Sequence, residues 1–210
     1  MDAPAPWRLT GNGFIAALRL PDPVRATQGG YPCSLPPPSG ALSYVMFVDY
    51  HSSDVGPYRE LLFLGGSFRF EDGHRYRSIG RIYVSSEDSV RNGQANWGIP
   101  KARADFQIER DGKRTRVTVS RDGTPLARLA FQPLGPALPV TSAVLPRRWL
   151  TLAQHWQHRT YYYTPSACGR AGLARSTTLW GDGERFPALQ DGRRIGTCLL
   201  YTSPSPRDRT

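Results

Sequence analysis

The stretch NGQANWGIPK, residues Asn92–Lys101, contains one of only two lysines in the sequence. The other is Lys113, and arginine supplies the rest of the 27 basic side chains. Lys101 follows an indole, an isoleucine and a proline instead of standing in a run of charges. A poorly solvating pocket lowers the pKa of a lysine amine, and the neutral amine can attack a carbonyl to form a Schiff base. The stretch therefore predicts a reactive lysine, unless Lys101 simply begins a strand and points into water above Trp97 and Ile99.

A second candidate lies upstream, at the start of an apolar run. Glu60 immediately precedes Leu61–Leu64 in the segment Gly56–Leu64. A carboxylate in this position either faces a cavity or sits at the strand rim, paired with Arg59 or Arg81 as an exposed ion pair. The residues alone leave both interpretations open.

Turn chemistry predicts the fold class. Asp-Gly pairs recur at 72–73, 111–112, 122–123, 182–183 and 191–192, and these residues accept the backbone angles of tight hairpin turns. Runs rich in β-forming residues predict strands at 14–20, 41–50, 58–64, 159–164 and 169–180. The runs flanked by these turns predict successive antiparallel strands at 68–70, 76–84, 104–109, 115–120 and 126–132. One short helix is predicted from Glu87 to Asn92, with Ser86 as its N-cap and Gly93 as its end.

Composition excludes several classes of function. The formal charge of +10 comes from scattered arginines without a nucleic-acid-binding motif, so no nucleic-acid partner is expected. Three cysteines without Cys-x-x-Cys spacing fit a reducing compartment. Residues 1–7 do not combine a basic start with an apolar run, so we expect no signal peptide, and we find no apolar run of membrane-spanning length. His155 and His158 lack a third partner for a metal. We expect a cytoplasmic protein that contacts no membrane and needs no metal or organic cofactor.

The region from Arg8 to Thr197 resembles the acetoacetate decarboxylase family. The run Gly93–Lys101 is similar to that family's catalytic-lysine segment, and Gly56–Glu60 matches its Gly-x-Tyr-x-Glu element. The resemblance implies a mainly β fold (β-rich α+β), an antiparallel barrel with one or a few short helices, and a homo-oligomer. It also implies a single domain over residues 1–197, truncated at its C-terminus.

The resemblance assigns roles to seven residues. Lys101 takes the place of the Schiff-base nucleophile. Glu60 takes the place of the pocket glutamate, and Arg19 takes the place of the arginine that binds the substrate carboxylate. The other predicted pocket residues are Tyr58, Trp97, Ile99 and Pro100. The implied function is a lyase that decarboxylates a small β-keto or oxo acid.

Departures from the family pattern leave the reaction open. The family has Arg-Glu where this chain has Gln94-Ala95, a second lysine at the position of Ala102 and a glutamate at that of Val45. The alternatives are an imine-dependent aldolase or dehydratase on the same fold, and a catalytically silent protein that binds a hydrophobic carboxylic acid or ketone.

The last residues suggest a different origin from the rest. Residues 198–210 resemble the in-frame translation of a transposase-type sequencing-library adapter. We therefore expect them to be an artefactual, disordered tail.

Overall fold

The computed structural model describes residues 2–33 and 35–202. Most of these residues lie in fifteen strands. The strands are β1 (Thr10–Arg19), β2 (Ser43–Ser52), β3 (Tyr58–Leu64), β4 (Ser67–Arg69), β5 (Arg75–Arg77), β6 (Ile82–Val84), β7 (Lys101–Arg103), β8 (Asp105–Asp111), β9 (Arg114–Arg121), β10 (Thr124–Pro133), β11 (Leu138–Thr141), β12 (Leu152–Trp156), β13 (Arg159–Tyr163), β14 (Cys168–Gly181) and β15 (Arg193–Thr202). The helices are α1 (Glu87–Trp97), α2 (Arg147–Leu150), a π-helical turn at Val24–Gln28 and two 3₁₀ turns at Ser142–Val144 and Leu189–Asp191.

The main sheet curls until its two ends nearly meet. Its strand order is β7-β6-β3-β2-β1-β15-β14-β10-β9-β8, with β11 also paired to β14. The first and last strands of this order, β7 and β8, are separated in the chain by Ala104 alone. One residue spans only about 3.3–3.6 Å, so the opposite ends of the sheet must lie side by side. The sheet is therefore barrel-like.

The two faces of this sheet bury different clusters. Along β3, Leu61 and Phe63 point into the barrel and join the larger cluster with Phe47 and Phe131. Alternate residues of the same strand point outward. The outward face of β3 carries Glu60, and its neighbours there belong to a second cluster outside the barrel.

This second cluster lies between the sheet and three covering elements. Helix α1 contributes Val90, and the residues before β1 contribute Ala3. Strand β13 contributes Tyr163, from a smaller sheet of order β13-β12-β5-β4. The reactive-lysine candidate lies beneath this cover.

The predicted fold class is confirmed: the protein is mainly β, largely antiparallel and barrel-like, with short helices. The Asp-Gly pairs at 111–112 and 122–123 form the β8–β9 and β9–β10 hairpin turns. The predicted strand at 76–84 is divided into β5 and β6, which belong to different sheets. Two pairings are parallel, β6 with β7 and β5 with β12.

The predicted end of the helix is wrong. Ser86 caps α1 as expected, because its side chain accepts a hydrogen bond from the Ser89 amide. The helix then continues through Gly93 to Trp97 and ends at Gly98, whose φ of 61° is left-handed. A left-handed residue is the usual helix C-cap, and glycine adopts it without strain. Gly93 remains inside the helix, where its missing side chain makes room for Lys101.

Residues 198–202 do not behave as a disordered tail. They form the end of β15, which pairs with β1 on one side and β14 on the other, and Leu199 is buried in the barrel. The expected disorder therefore does not extend to them. Residues 203–210 lie outside the described residues, and the artefactual origin of the tail stays a prediction.

Within residues 2–33 and 35–202, none of the helices combines the length and the apolar character needed to cross a membrane.

Candidate active site

Three strands bring Lys101 and Glu60 together from positions 41 residues apart. Glu60 pairs with Val84 in the β3–β6 ladder, and Lys101 lies beside Ile82 in the parallel β6–β7 ladder. Residues opposite one another in a ladder share a face, so both side chains point out of the barrel. The register of β6 therefore sets the distance between them.

The two side chains form a buried ion pair. Lys101 Nζ lies 2.9 Å from Glu60 Oε2, and the side chains are only 4% and 7% exposed. Lys101 Nζ also donates a hydrogen bond of 3.0 Å to Ser89 Oγ, from the first turn of α1. Burial removes both groups from water, which is unfavourable for an isolated charge. Direct contact between the opposite charges offsets part of that cost.

Aromatic rings surround the remaining sides of the amine. Lys101 Nζ lies 5.2 Å from the ring centroid of Tyr58 and 5.4 Å from that of Trp7. Both distances fall within the range of cation–π attraction, and a ring excludes water from the amine. The amine is consequently shielded from solvent beside the acidic group of Glu60.

The tyrosines near Glu60 are held in their neutral form. Burial, and then the negative charge of Glu60, raise the pKa values of Tyr58, Tyr50 and Tyr163 well above the usual range. A raised phenol pKa means that the hydroxyl keeps its proton throughout the neutral range. These groups can therefore donate hydrogen bonds but do not act as phenolate bases.

The hydroxyl of Tyr163 has no hydrogen-bond partner among the described residues. It is buried, and no hydrogen bond to it is found among residues 2–33 and 35–202. The ring lies 6.4 Å from that of Trp97, within the outer cluster that contains Tyr58. Because a buried hydroxyl without a partner loses the hydrogen bonds that water would make, this one is available to a bound molecule.

The segment before β1 covers the site. The Ala3 amide donates to Asn92 Oδ1, and Ala3 O accepts from Trp7 Nε1 and from Asn96 Nδ2, each at 2.8 Å. Trp7 also packs edge-on against Trp97, with ring centroids 4.8 Å apart. These contacts fasten the segment to α1 and place Trp7 over Lys101.

The structure brings most of the predicted site residues together. Tyr58 contacts Lys101, and Ile99 and Trp97 belong to the surrounding cluster. Pro100 instead lines a separate cavity of about 210 Å³, together with Gln154 and Ser78.

Arg19 does not reach this site. Glu60 pairs with Val48, and Val48 pairs with Gly13, so Gly13 marks the level of Glu60 on β1. Arg19 is 19 − 13 = 6 residues further along the strand, which is roughly 20 Å at about 3.3 Å per residue. It is exposed and lines an open groove with Arg25 and Arg193. Its predicted role in holding a carboxylate beside Lys101 does not fit this geometry.

Sequence reasoning missed three residues of the site, Trp7, Ser89 and Tyr163. Ser89 could have been found, because it lies on the same helix face as Gly93, against which Lys101 packs. Trp7 and Tyr163 carry no local signal, since both reach the site through long-range packing.

No cluster of three or more histidine, cysteine, aspartate or glutamate side chains forms a possible metal site in the part of the chain that the structure describes. His155 lies on β12, and His158 lies in the turn that follows it.

Comparison with known proteins places this geometry in a family. The sequence model described as "Acetoacetate decarboxylase (ADC)" matches residues 32–163, which include both Glu60 and Lys101. No curated protein gives a significant match.

Three solved structures illustrate the similarity of fold. The enduracididine biosynthesis enzyme MppR, in complex with pyruvate, is 16% identical over 96% of this chain and 88% of its own, with a TM-score of 0.61. Acetoacetate decarboxylase from Legionella pneumophila subsp. pneumophila str. Philadelphia 1 is 13% identical over 95% of this chain and 84% of its own, with a TM-score of 0.62. An acetoacetate decarboxylase-like enzyme from Sphingomonas wittichii RW1 is 16% identical over 95% of this chain and 93% of its own, with a TM-score of 0.57. Together with the match to more than half of its sequence, the fold shows that the chain belongs to the acetoacetate decarboxylase family.

Proposed function

We propose that this protein is a lyase that forms a Schiff base between Lys101 and the ketone of a small β-keto or oxo acid. The observation that carries the proposal is the buried contact between Lys101 Nζ and Glu60 Oε2, enclosed by Ser89, Tyr58 and Trp7. A basic group and an acidic group in direct contact, both shielded from solvent, can exchange a proton and so release a neutral amine.

The chemistry follows from this arrangement. Glu60 takes a proton from the Lys101 ammonium, and the neutral nitrogen bonds to the carbonyl carbon of the substrate. The carbonyl oxygen leaves as water after it accepts one proton from the attacking nitrogen and one from Glu60, which leaves Glu60 ionised. The protonated imine then draws the electron pair of the bond that breaks next. After loss of carbon dioxide, the resulting carbon takes a proton that Glu60 has picked up from water, and hydrolysis of the imine frees the product and Lys101. In decarboxylation, the bond that breaks is the carbon–carbon bond to the carboxylate.

An aldolase or dehydratase reaction is the second candidate. It uses the same imine but breaks a carbon–hydrogen bond, whose proton passes to the Glu60 carboxylate and from there to the aldehyde oxygen once the carbon nucleophile has attacked the aldehyde. MppR is similar in fold and has been described in complex with the condensation product of pyruvate and imidazole 4-carboxaldehyde.

Reductive trapping of the imine tests the proposal. A protein that only binds a ketone or carboxylic acid would take up the ligand without a covalent adduct at Lys101. Product analysis with pyruvate, alone or with an aldehyde, would separate decarboxylation from condensation.

We further propose that the Tyr163 hydroxyl hydrogen-bonds to an oxygen of the bound substrate. Tyr163→Phe removes only that oxygen. We expect imine formation to slow by roughly 10- to 100-fold, the effect of losing one hydrogen bond to a charged group. The rate of borohydride-trapped adduct formation measures this.

Tyr162→Phe is the matched control, because the neighbouring side chain is exposed on the other face of β13. It should react like the unaltered protein. Equal rates for Tyr163→Phe and Tyr162→Phe would remove Tyr163 from the site.

Gly93 controls the position of the amine. A Cβ atom at Gly93 would lie 2.7 Å from Cδ and 2.9 Å from Cε of Lys101, so the lysine side chain would have to move. Alanine also favours a helix over glycine by about 1 kcal/mol, so α1 should persist. We expect Gly93→Ala to slow adduct formation by roughly 10- to 100-fold, since small displacements of a reacting group are costly.

Arg91→Ala, on the exposed side of α1, is the control for the helix. Adduct formation in Gly93→Ala at the rate of this control would show that the contact of Gly93 with Lys101 does not position the amine.

A further inference from the structure

The Lys101 amine has almost no contact with solvent. The Lys101 side chain is only 4% exposed, and that of Glu60 is 7% exposed. Ser89 is completely buried, and Tyr58 is 3% exposed. Two atoms that are to form a covalent bond must first approach to about 3–3.5 Å. A ketone therefore cannot reach Nζ unless one of the groups that enclose it moves.

Three of these enclosing groups belong to firmly held elements. Tyr58 and Glu60 lie on β3, which is paired with β2 on one side and with β6 on the other. Ser89 lies in the first turn of α1, where its amide donates to the Ser86 cap. Moving any of them would break the sheet or unwind the helix. Elements that admit a ligand come instead from the parts of a protein that open at the lowest free energy.

The fourth enclosing group, Trp7, lies on a segment without regular structure. Residues 2–9 lie outside the helices and strands, and pairing with β2 begins only at Thr10. We call residues 2–9 the strap. Most of its residues are exposed, and Pro4 and Pro6 have no amide hydrogen to donate. The strap is therefore the part of the enclosure that opens most readily.

Hydrogen bonds to Ala3 fasten the strap to α1. The Ala3 amide donates to Asn92, and Ala3 O accepts from Asn96, which lies about one turn further along the same face of the helix. The bond from Trp7 Nε1 to Ala3 O lies within the strap, so it links these two residues during any movement. Release of Ala3 from α1 would therefore carry Trp7 away from the amine.

We propose that the strap opens to admit a carbonyl compound to Lys101 and then closes over it, with Trp7 as the group that blocks or clears the amine. The Arg8 amide donates to Asp54 near the start of β1, so this end stays attached to the barrel while the Ala3 end moves. A closed strap excludes water while the imine forms and reacts. The inference rests on the proposed function in taking Lys101 as the reactive group.

Competitive acetylation with acetic anhydride measures access to the amine without any substrate. Lys113 is exposed and serves as a reference in the same molecule. Asn96→Ala removes one bond to Ala3 and leaves every group in contact with Nζ unchanged. Because loss of one hydrogen bond should favour the open strap, we expect the ratio of Lys101 to Lys113 acetylation to rise by roughly 2- to 10-fold. Peptide mass spectrometry measures this ratio.

Arg91→Ala is the matched control, because Arg91 pairs with Asp88 on the exposed side of the same helix. It should leave the acetylation ratio unchanged. Alanine is the best helix former, so α1 should persist in both variants. Trp7→Ala uncovers the amine directly and should raise the ratio further than Asn96→Ala does. Equal ratios in Asn96→Ala and Arg91→Ala would overturn the inference.

Adduct formation with pyruvate separates this inference from the Schiff-base proposal. If both hold, Asn96→Ala should form the borohydride-trapped adduct faster than Arg91→Ala does. Raised acetylation of Lys101 without an adduct for any oxo acid would support the strap and refute the Schiff base. An adduct on Lys101 together with unchanged acetylation in Asn96→Ala would refute the strap and leave the Schiff base intact.

Discussion

Borohydride treatment in the presence of pyruvate or acetoacetate is expected to leave a reduced adduct on Lys101 and none on Lys113. Lys101 is enclosed by Glu60, Ser89 and two aromatic rings, whereas Lys113 is exposed at the β8–β9 turn. An amine in open solvent has no site that holds a ketone against it, so Lys113 does not compete for the substrate. Peptide mass spectrometry assigns the adduct directly, because the sequence contains only these two lysines.

Lys101→Arg should abolish the adduct, because a guanidinium stays protonated and cannot form the imine. Lys113→Arg is the matched control and should react fully. An adduct on Lys113 alone, or none with a panel of oxo acids, would contradict the Schiff-base proposal and favour a protein that only binds its ligand.

Replacement of Glu60 is expected to cause the largest loss of stability. Glu60→Ala leaves the Lys101 ammonium buried without its carboxylate, and breaking a buried ion pair in this way costs about 3–5 kcal/mol. For a domain of this size, that corresponds to a fall in Tm of roughly 6–20 °C. Urea and thermal unfolding at neutral pH measure the change.

The combined substitution Glu60→Leu with Lys101→Met should recover most of that stability, because it removes both charges and fills the space with apolar side chains. Glu109→Ala, at an exposed position of β8, is the control and should change the free energy of unfolding little. If Glu60→Ala were as mild as Glu109→Ala, water would have to reach Lys101, and the site would not be dry.

Local chemistry made several elements predictable from the sequence. The Asp-Gly turns and the β-forming runs between them gave the hairpins of β8, β9 and β10, because the angles of a tight turn depend on its own residues. Ser86 was likewise predictable as the cap of α1, since it bonds to an amide three residues away. The end of that helix was not, because both Gly93 and Gly98 are plausible ends and only the packing of Lys101 explains why Gly93 lies inside.

The pairing of Lys101 with Glu60 was predicted through resemblance to a family and not through spacing. The resemblance also suggested Arg19, which β1 places roughly 20 Å from the level of Glu60 along the strand. The resemblance to an adapter likewise did not predict the structure of residues 198–202. They pair with β1 and β14 and therefore form a strand, whatever their origin.

The sequence by itself determined which residues turn, which extend and where a lysine stands among apolar neighbours, because these properties depend on side chains a few positions apart. Only the tertiary structure decided what surrounds that lysine. The register of β6 sets Glu60 beside Lys101, Trp7 lies against the amine, and Tyr163, distant from Trp7 in the chain, packs against Trp97. Contacts of this kind depend on how sheets stack and curl, and no local pattern encodes them.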